Sequence, residues 1–417
     1  MFVYAFVLGA FDRFNYGDIL FAHISAYLLK EKFPDIQIHF IGFKKTDLGR
    51  SGGVLVRDFS FIDQFKSAPG ESLVWVSGGA VLDVRWWTMT QMLLSDRGSK
   101  AFRRVRRYLR DEMLDFLCRR YHRSPHPMPW IFDRDALPFD EGFAIAYNSV
   151  GGANFSPLPE RLRSAVRTGL STADYVSVRD ANSRDALAEI GVAPVELVPD
   201  SAVLLNESSL SKTLFGLGEE EANADPYGTR LSLPEGSICF QCAGRFFRRF
   251  EDDICDQIEK LHEVTEQNIV VFGIGYAPFH DDHLTIDGIS DRLGENEWLH
   301  VYREESVSGI ARLIQKSSCY IGTSLHGYIT AFAFSRPRVG LSPDVGKLVG
   351  FRDAWDLPSM PVGISFSDFS EAACRALRHD PETLNGVARR TKDLYVSKFE
   401  AIWDGALADK AAGSSRS

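Results

Sequence analysis

An α/β protein made of two doubly wound domains in tandem is the fold class this chain predicts. Apolar strand-like runs alternate with amphipathic segments long enough for crossover helices, and a polar, acidic, Gly- and Ser-rich stretch over 206–236 divides the series in two. The scale agrees: 417 residues, 45% apolar and 25% charged, have an ordinary globular balance with length for two or three domains, which excludes disorder as the dominant state. A balance of 47 Lys plus Arg against 56 Asp plus Glu, net −9, argues against a wholesale nucleic-acid or anionic-membrane binder. Any such contact must come from a local basic patch.

The opening MFVYAFVLGAF has no basic n-region and no small-residue cleavage site, so it reads as the first strand and not as a signal peptide. FVYAFVLG, IQIHFIGF, SLVWVSGG, GFAIAYNSVGG, YVSVRD and VELVPD are the expected strands of an N-terminal domain over 1–205. Helices are expected between them at about 17–33, 81–121, 157–173 and 182–190. After a linker or surface excursion at 206–236, SICFQCAG, NIVVFGIG, EWLHVYRE, SCYIGTS and PRVGLSP are the strands of a C-terminal domain over 237–380, with helices at about 251–266, 306–317 and 325–335. The periodic segment 381–404 has no partner strand and is expected to close the molecule as a helix, with 405–417 as a flexible tail.

No uninterrupted apolar stretch of 18 or more residues occurs, so nothing is expected to span a bilayer by length. Six cysteines lack both disulfide-framework and paired zinc-ligand spacing; the lone CxxC of Cys239 and Cys242 sits in an apolar run and reads as core. A reducing cytoplasm and no metal are expected.

Ligands of open parallel sheets bind outside the carboxyl ends of strands, so the strand-to-helix junctions hold the candidate chemistry. At the first, Asn15, Gly17 and Asp18 either cap a helix or bring a carboxylate to a sugar hydroxyl. The turn VSGGAVLDV holds Gly78 and Gly79 with Asp83 just beyond, followed by Trp86, a residue of the core or a platform for a sugar ring. A GxGxxG fingerprint after the first strand is absent. At a strand end, Arg179 is costly to bury without an anion, so Asp180, Asp200 or a substrate must pair with it. In the second half, CAGRFFRRF gathers Arg245, Arg248 and Arg249, and GTSLHGYITAFAF puts Ser324 and His326 where a helix N-terminus can hold an anion.

Residues 97–123 hold ten Lys or Arg against three acids, with Phe102, Val105, Leu109, Met113, Phe116 and Leu117 at spacings of three and four. This reads as a basic amphipathic helix: either a packed helix with a solvated basic face, or a docking surface for an anionic membrane or a lipid-pyrophosphate-linked glycan. Its aromatics are too few for a single-stranded nucleic-acid track.

In order and rough spacing, N-x-G-D at Asn15 to Asp18, the SGGAVLD turn, SVRDxxS, PDSA at Pro199 to Ala202, GTSLHG, and PRVGLSPDVGKLVGF with Lys347 resemble the polysaccharide pyruvyl transferase family over about residues 2–355. The resemblance implies two Rossmann-like domains of GT-B type with an interdomain active site. It also implies transfer of pyruvate from phosphoenolpyruvate to two hydroxyls of a surface or exported saccharide, as a cyclic ketal and without a cofactor. Carried over by position, Arg179, Arg245, Ser324 and His326 would hold the donor. Some members have Arg where Ser324 stands, so one phosphate contact is either missing here or supplied by Arg248 or Arg249. By general acid–base logic His326 is the candidate acid or phosphate-binding group and Asp18 the candidate base, with Asp83 as the alternative base. The acceptor, free or lipid-linked, is expected against Asn15, Asp18, Asp83 and Trp86 on the N-terminal side. The rival readings are a nucleotide-sugar glycosyltransferase of the same fold, disfavoured because no Glu occurs between Glu305 and Glu371, and a non-catalytic sugar-binding relative.

Overall fold

A computed structural model describes residues 2–66, 71–139, 142–215, 234, 236–276, 281–341 and 346–412. In chain order the N-terminal half contains β1 (Phe2–Leu8), α1 (Tyr16–Lys32), β2 (Gln37–Gly42), β3 (Thr46–Asp47), β4 (Leu55–Asp58), β5 (Glu71–Ser77), α2 (Trp86–Leu93), α3 (Asp96–Arg106) and α4 (Asp111–Tyr121). It continues with β6 (Ala144–Val150), α5 (Glu160–Ser171), β7 (Tyr175–Val178), α6 (Ala181–Glu189), β8 (Glu196–Leu197) and α7 (Ser208–Phe215). The second half contains β9 (Ile238–Gln241), α8 (Gly244–Phe247), α9 (Glu251–Thr265), β10 (Ile269–Phe272), α10 (Asp282–Leu293), β11 (Leu299–Tyr302), α11 (Val307–Lys316), β12 (Cys319–Gly322) and α12 (Leu325–Ala333). It ends with β13 (Arg338–Leu341), α13 (Gly346–Trp355), β14 (Val362–Ile364), α14 (Phe369–Ala376), α15 (Pro381–Asp404) and α16 (Ala408–Ala412).

Among the described residues the strands make two sheets, one ordered β3-β4-β2-β1-β5-β6-β7-β8 and the other β11-β10-β9-β12-β13-β14. Every pairing is parallel except β3 with β4. The central strands are buried along their whole length, as β6 and β9 are, because crossover helices cover both faces. In each sheet the strand order reverses direction beside the first strand of the half, β1 and β9, and that is where a crevice opens.

The structure departs from the sequence expectations in three places. The single helix expected over about 81–121 is three: Ser95 breaks it as the N-cap of α3, its hydroxyl accepting from the Gly98 amide, and an extended Arg110 precedes α4. Of the expected linker, 208–215 is helix α7 packed against α1 and α11, while 216–233 and 235 lie outside the described residues. The flexible tail is corrected in its first part: Leu407 is fully buried and Lys410 Nζ, in α16, reaches the Phe143 carbonyl and, at 2.8 Å, Asp174.

Helix α15 begins where a Pro at its first position and the Asp380 cap allow, the carboxylate accepting from the Thr383 amide at 2.9 Å. It crosses back to the N-terminal sheet. There Trp403 stacks on Trp75 at 5.9 Å and meets Phe2 and Phe33 edge-on, and Tyr395 accepts a 2.8 Å hydrogen bond from Asn148. The halves also meet directly: Tyr16 and Thr330 share a 2.9 Å hydroxyl hydrogen bond, and the Tyr16 amide donates to the Ile274 carbonyl.

Candidate active site

Between the sheets lies a cleft of about 280 Å³, lined by Arg13, Asp18, Arg179, Arg245, His326 and Lys347 among others. Each of these side chains sits at a strand-to-helix junction, so the wall of the cleft is built by the turns of both halves.

From the N-terminal half, Asn15 caps α1, its side-chain oxygen accepting from the Gly17 amide, and it also lines the cleft. Asp18 follows in the first turn of α1, with Arg13 Nη2 at 3.7 Å from its Oδ2. Burial raises the Asp18 carboxyl above the ordinary carboxylate range, opposed by Arg13 and abetted by the nearby Asp12. Arg179, at the end of β7, is buried and donates to Asp200 at 2.9 Å, its nearer partner; Asp180, with Oδ2 3.9 Å from Arg179 Nε, also caps α6 through the Ser183 amide. Asp200 is fully buried and its pKa is raised by that burial despite the arginine. The Trp355 indole donates to the Arg179 carbonyl at 2.7 Å and ties this junction to the other half.

From the C-terminal half, His326 stands in the first turn of α12. Its Nε2 lies 3.9 Å from Asp200 Oδ2, the same oxygen that receives Arg179, and its ring meets the edge of Phe21 at 5.0 Å. Two glycines are required by this packing. A Cβ on Gly17 would lie 1.8 Å from the His326 ring, and one on Gly78, whose φ is +45°, would lie 2.4 Å from Phe21. Ser324 caps α12, accepting weakly from Gly327 at 3.4 Å, and its own amide donates to Gln241 Oε1 at 3.0 Å. Gln241 in turn donates to Asp282, which also accepts from the Ile274 and Gly275 amides. Burial pushes Asp282 up to about 7 against these donors.

Arg245 is exposed toward the cleft, with Phe246 at 4.6 Å beneath its guanidinium. Arg248 and Arg249 do not line the cleft: Arg248 reaches Asp281 at 3.4 Å and Arg249 lies over Phe250. Lys347, in the first turn of α13, has its pKa lowered to about 8 by the surrounding protein mass and by Arg179 and Arg245. Its side chain keeps solvent access within the cleft, so repulsion by the two arginines is the cause that carries physical weight.

Two sequence expectations are corrected. Trp86 is no sugar platform: it is fully buried, its indole donates to the His126 carbonyl at 3.0 Å, and its ring packs against Phe43 and His122. Asp83 does not line the cleft but holds the Asn154 amide at 2.9 Å, tying one junction loop to the next. Cys239 and Cys242 are buried core thiols, with burial pushing the first up to about 12. Sequence reasoning missed Arg13, Gln241 and Asp282. Arg13 had a legible signal, a guanidinium two residues before the α1 cap; Gln241 and Asp282 had none, because only packing joins a strand end to the start of α10.

Two Rossmann-like halves facing each other across a cleft make a GT-B-type fold, and the solved structures that resemble the chain share it. UDP-GlcNAc 2-epimerase of Methanocaldococcus jannaschii, bound to UDP-GlcNAc and UDP, is 10% identical with a TM-score of 0.54, covering 95% of this chain and 99% of the epimerase. S. aureus MnaA bound to UDP is 12% identical with a TM-score of 0.51 over 98% of both chains. The wall teichoic acid polymerase TagF is 12% identical with a TM-score of 0.51, over 98% of this chain and 89% of its own. Among curated proteins, none matches by sequence. The family model of polysaccharide pyruvyl transferases matches residues 15–345, and the chain belongs to that family and is a transferase.

Proposed function

We propose that the protein transfers pyruvate from phosphoenolpyruvate to two hydroxyls of a saccharide, forming a ketal, in polysaccharide biosynthesis. The observation that carries this reading is the set of four cations, Arg13, Arg179, Arg245 and Lys347, around a small cleft into which His326 and Asp18 also face. A compact donor with a phosphate and a carboxylate is neutralised by such a set, and arginine forks suit both groups. Six free cysteines, five of them buried, fit a reducing cytoplasm, where the donor would be met.

In the reaction C3 of the donor gains a proton, and C2 takes on oxocarbenium character. One sugar hydroxyl adds to C2 and surrenders its proton to a base; the bond from C2 to the phosphate oxygen breaks and phosphate leaves. The second hydroxyl closes the ring as its proton departs. His326 holds the phosphate or donates the proton, Asp18 accepts the hydroxyl proton from the acceptor side, and Arg245 with Lys347 bind the donor's anionic groups. Asp200 positions Arg179 and His326 together. The raised pKa of Asp18 suits a group that must take up and release a proton.

Calorimetric titration with phosphoenolpyruvate, without metal, tests this reading. Saturable binding is expected, weakened by about tenfold or more in His326→Ala and in Arg245→Ala, since a hydrogen bond to a charged group contributes about 1.5–3 kcal/mol. Binding of UDP or GDP with no response to phosphoenolpyruvate would overturn it in favour of glycosyl transfer.

A further inference from the structure

Helices α3 and α4 leave an amphipathic surface unpartnered. Val105, Tyr108, Met113, Phe116, Leu117 and Tyr121 are all exposed, Tyr108 by 87% and Tyr121 by 75%, and they outnumber the exposed large apolar residues of the remaining described chain. Arg103, Arg104, Arg107, Arg110, Arg120 and Arg123 are exposed among them, and among the described residues none of these six has an ion-pair partner. Of the three acids of 97–123, two are engaged, Asp111 and Asp115 holding Arg85 and Asp111 also meeting Arg106, and Glu112 alone is exposed among the arginines. Exposed apolar and cationic groups therefore stay interleaved along 103–123 in a chain whose net charge is −9.

The patch is firmly mounted. Leu114, Asp115 and Cys118 turn inward, Asp115 accepts from Arg85 and from the Trp87 amide, and the Arg106 guanidinium lies 3.6 Å over the Trp87 ring. All of these fasten it to α2, whose Met89 and Met92 line the cleft. Helix α2, against which the patch is mounted, is thus also a wall of the cleft.

We propose that the α3–α4 face docks on an anionic lipid bilayer. Charge complementarity selects the occupant: an anionic headgroup layer meets the arginines while the acyl boundary takes the apolar side chains between them, including the two tyrosines, whose rings suit an interface. Neither term suffices alone in a protein of this net charge. Docking brings α2 and the acceptor side of the cleft toward the bilayer, so the saccharide acceptor is carried on a lipid; this last step alone rests on the pyruvyl transfer reading.

Co-sedimentation of the full chain with vesicles of phosphatidylglycerol and phosphatidylcholine, against phosphatidylcholine alone, tests the docking. Binding only to the anionic vesicles is expected, falling as salt rises. Arg103→Glu/Arg107→Glu is expected to lower partitioning by about tenfold or more, at about one basic residue's contribution per site. Tyr108→Ser/Phe116→Ser is expected to lower it as well while leaving weak binding to a DNA duplex unchanged, which separates a bilayer from a generic polyanion. Equal binding to both vesicle types, parent-like vesicle binding in Tyr108→Ser/Phe116→Ser, or patch variants that only convert a dimer to a monomer would each overturn the proposal. Titration with phosphoenolpyruvate in the absence of vesicles reads the donor site separately, and all patch variants should match the parent there.

Discussion

His326 owes its position to residues that touch no ligand. Gly17 leaves room for the imidazole, Gly78 leaves room for Phe21, and Phe21 holds the ring edge-on. Gly17→Ala is therefore expected to keep its helix, where Ala is favoured over Gly by about 1 kcal/mol, yet to displace His326 and weaken phosphoenolpyruvate binding as much as His326→Ala does. Calorimetry on both variants checks this; parent-like affinity in Gly17→Ala would remove His326 from the donor site. Asp282 makes a second prediction. Its native pKa of about 7 exceeds the ordinary 3.8, so the folded state binds a proton that the unfolded state has released, and stability falls as pH rises between these values. Asp282→Asn keeps the acceptor for Ile274 and Gly275 and abolishes that loss. Its stability relative to the parent should rise with pH by up to about 1.4 kcal/mol per unit between about 4 and about 7, measured by urea unfolding across that range. The cap at Asn15 and the pairing of Arg179 with Asp200 were legible as residue types after strands; that the same carboxylate also approaches His326 was not, because 126 residues separate Asp200 from His326.

At the scale of elements, helix boundaries with chemical signals were legible and boundaries set by context were not. Helix α15 has Asp380 and Pro381 at its start and an uninterrupted apolar period, so its span could be read directly. The long period over 81–121 continues through two breaks because side-chain spacing says nothing about a backbone that leaves the helix at Ser95 and again before Asp111. Strands β3, β4 and β14 are too short to show alternation and owe their pairing to the sheet edge they join. The start of β13 and the end of α13 are joined by a buried pair: Arg338 is fully buried, donates from Nε to Asp356 at 2.8 Å and lies over Phe332, while Tyr328 donates to the same carboxylate. Removing one partner strands a charge in the core, so Asp356→Ala is expected to destabilise by about 3–5 kcal/mol in denaturant unfolding. Because α13 also carries Lys347, donor binding should weaken in the same variant.

Across the whole molecule, the cleft exists because α15 returns to the N-terminal sheet and the Tyr16–Thr330 and Trp355–Arg179 contacts hold the halves together. A donor bound between them binds the folded state alone. Phosphoenolpyruvate at a hundredfold over its Kd should therefore add about 2.7 kcal/mol of stability, read as a rise in thermal midpoint that diminishes with added salt. A midpoint indifferent to the ligand would count against binding in this cleft.

By itself the sequence determined the two doubly wound halves, the junctions at which side chains could meet a ligand, and the basic, apolar character of 97–123, because each follows from local period, turn chemistry and composition. Tertiary structure decided which junction residues meet. It turned Trp86 into the core and Asp83 onto a loop, brought Arg13, Lys347 and Asp282 to the cleft, and left Tyr108 and Tyr121 uncovered. The physical reason is that burial and pairing depend on neighbours distant in sequence: the same tryptophan or arginine is core, partner or surface according to what packs against it, and a local pattern holds no record of that.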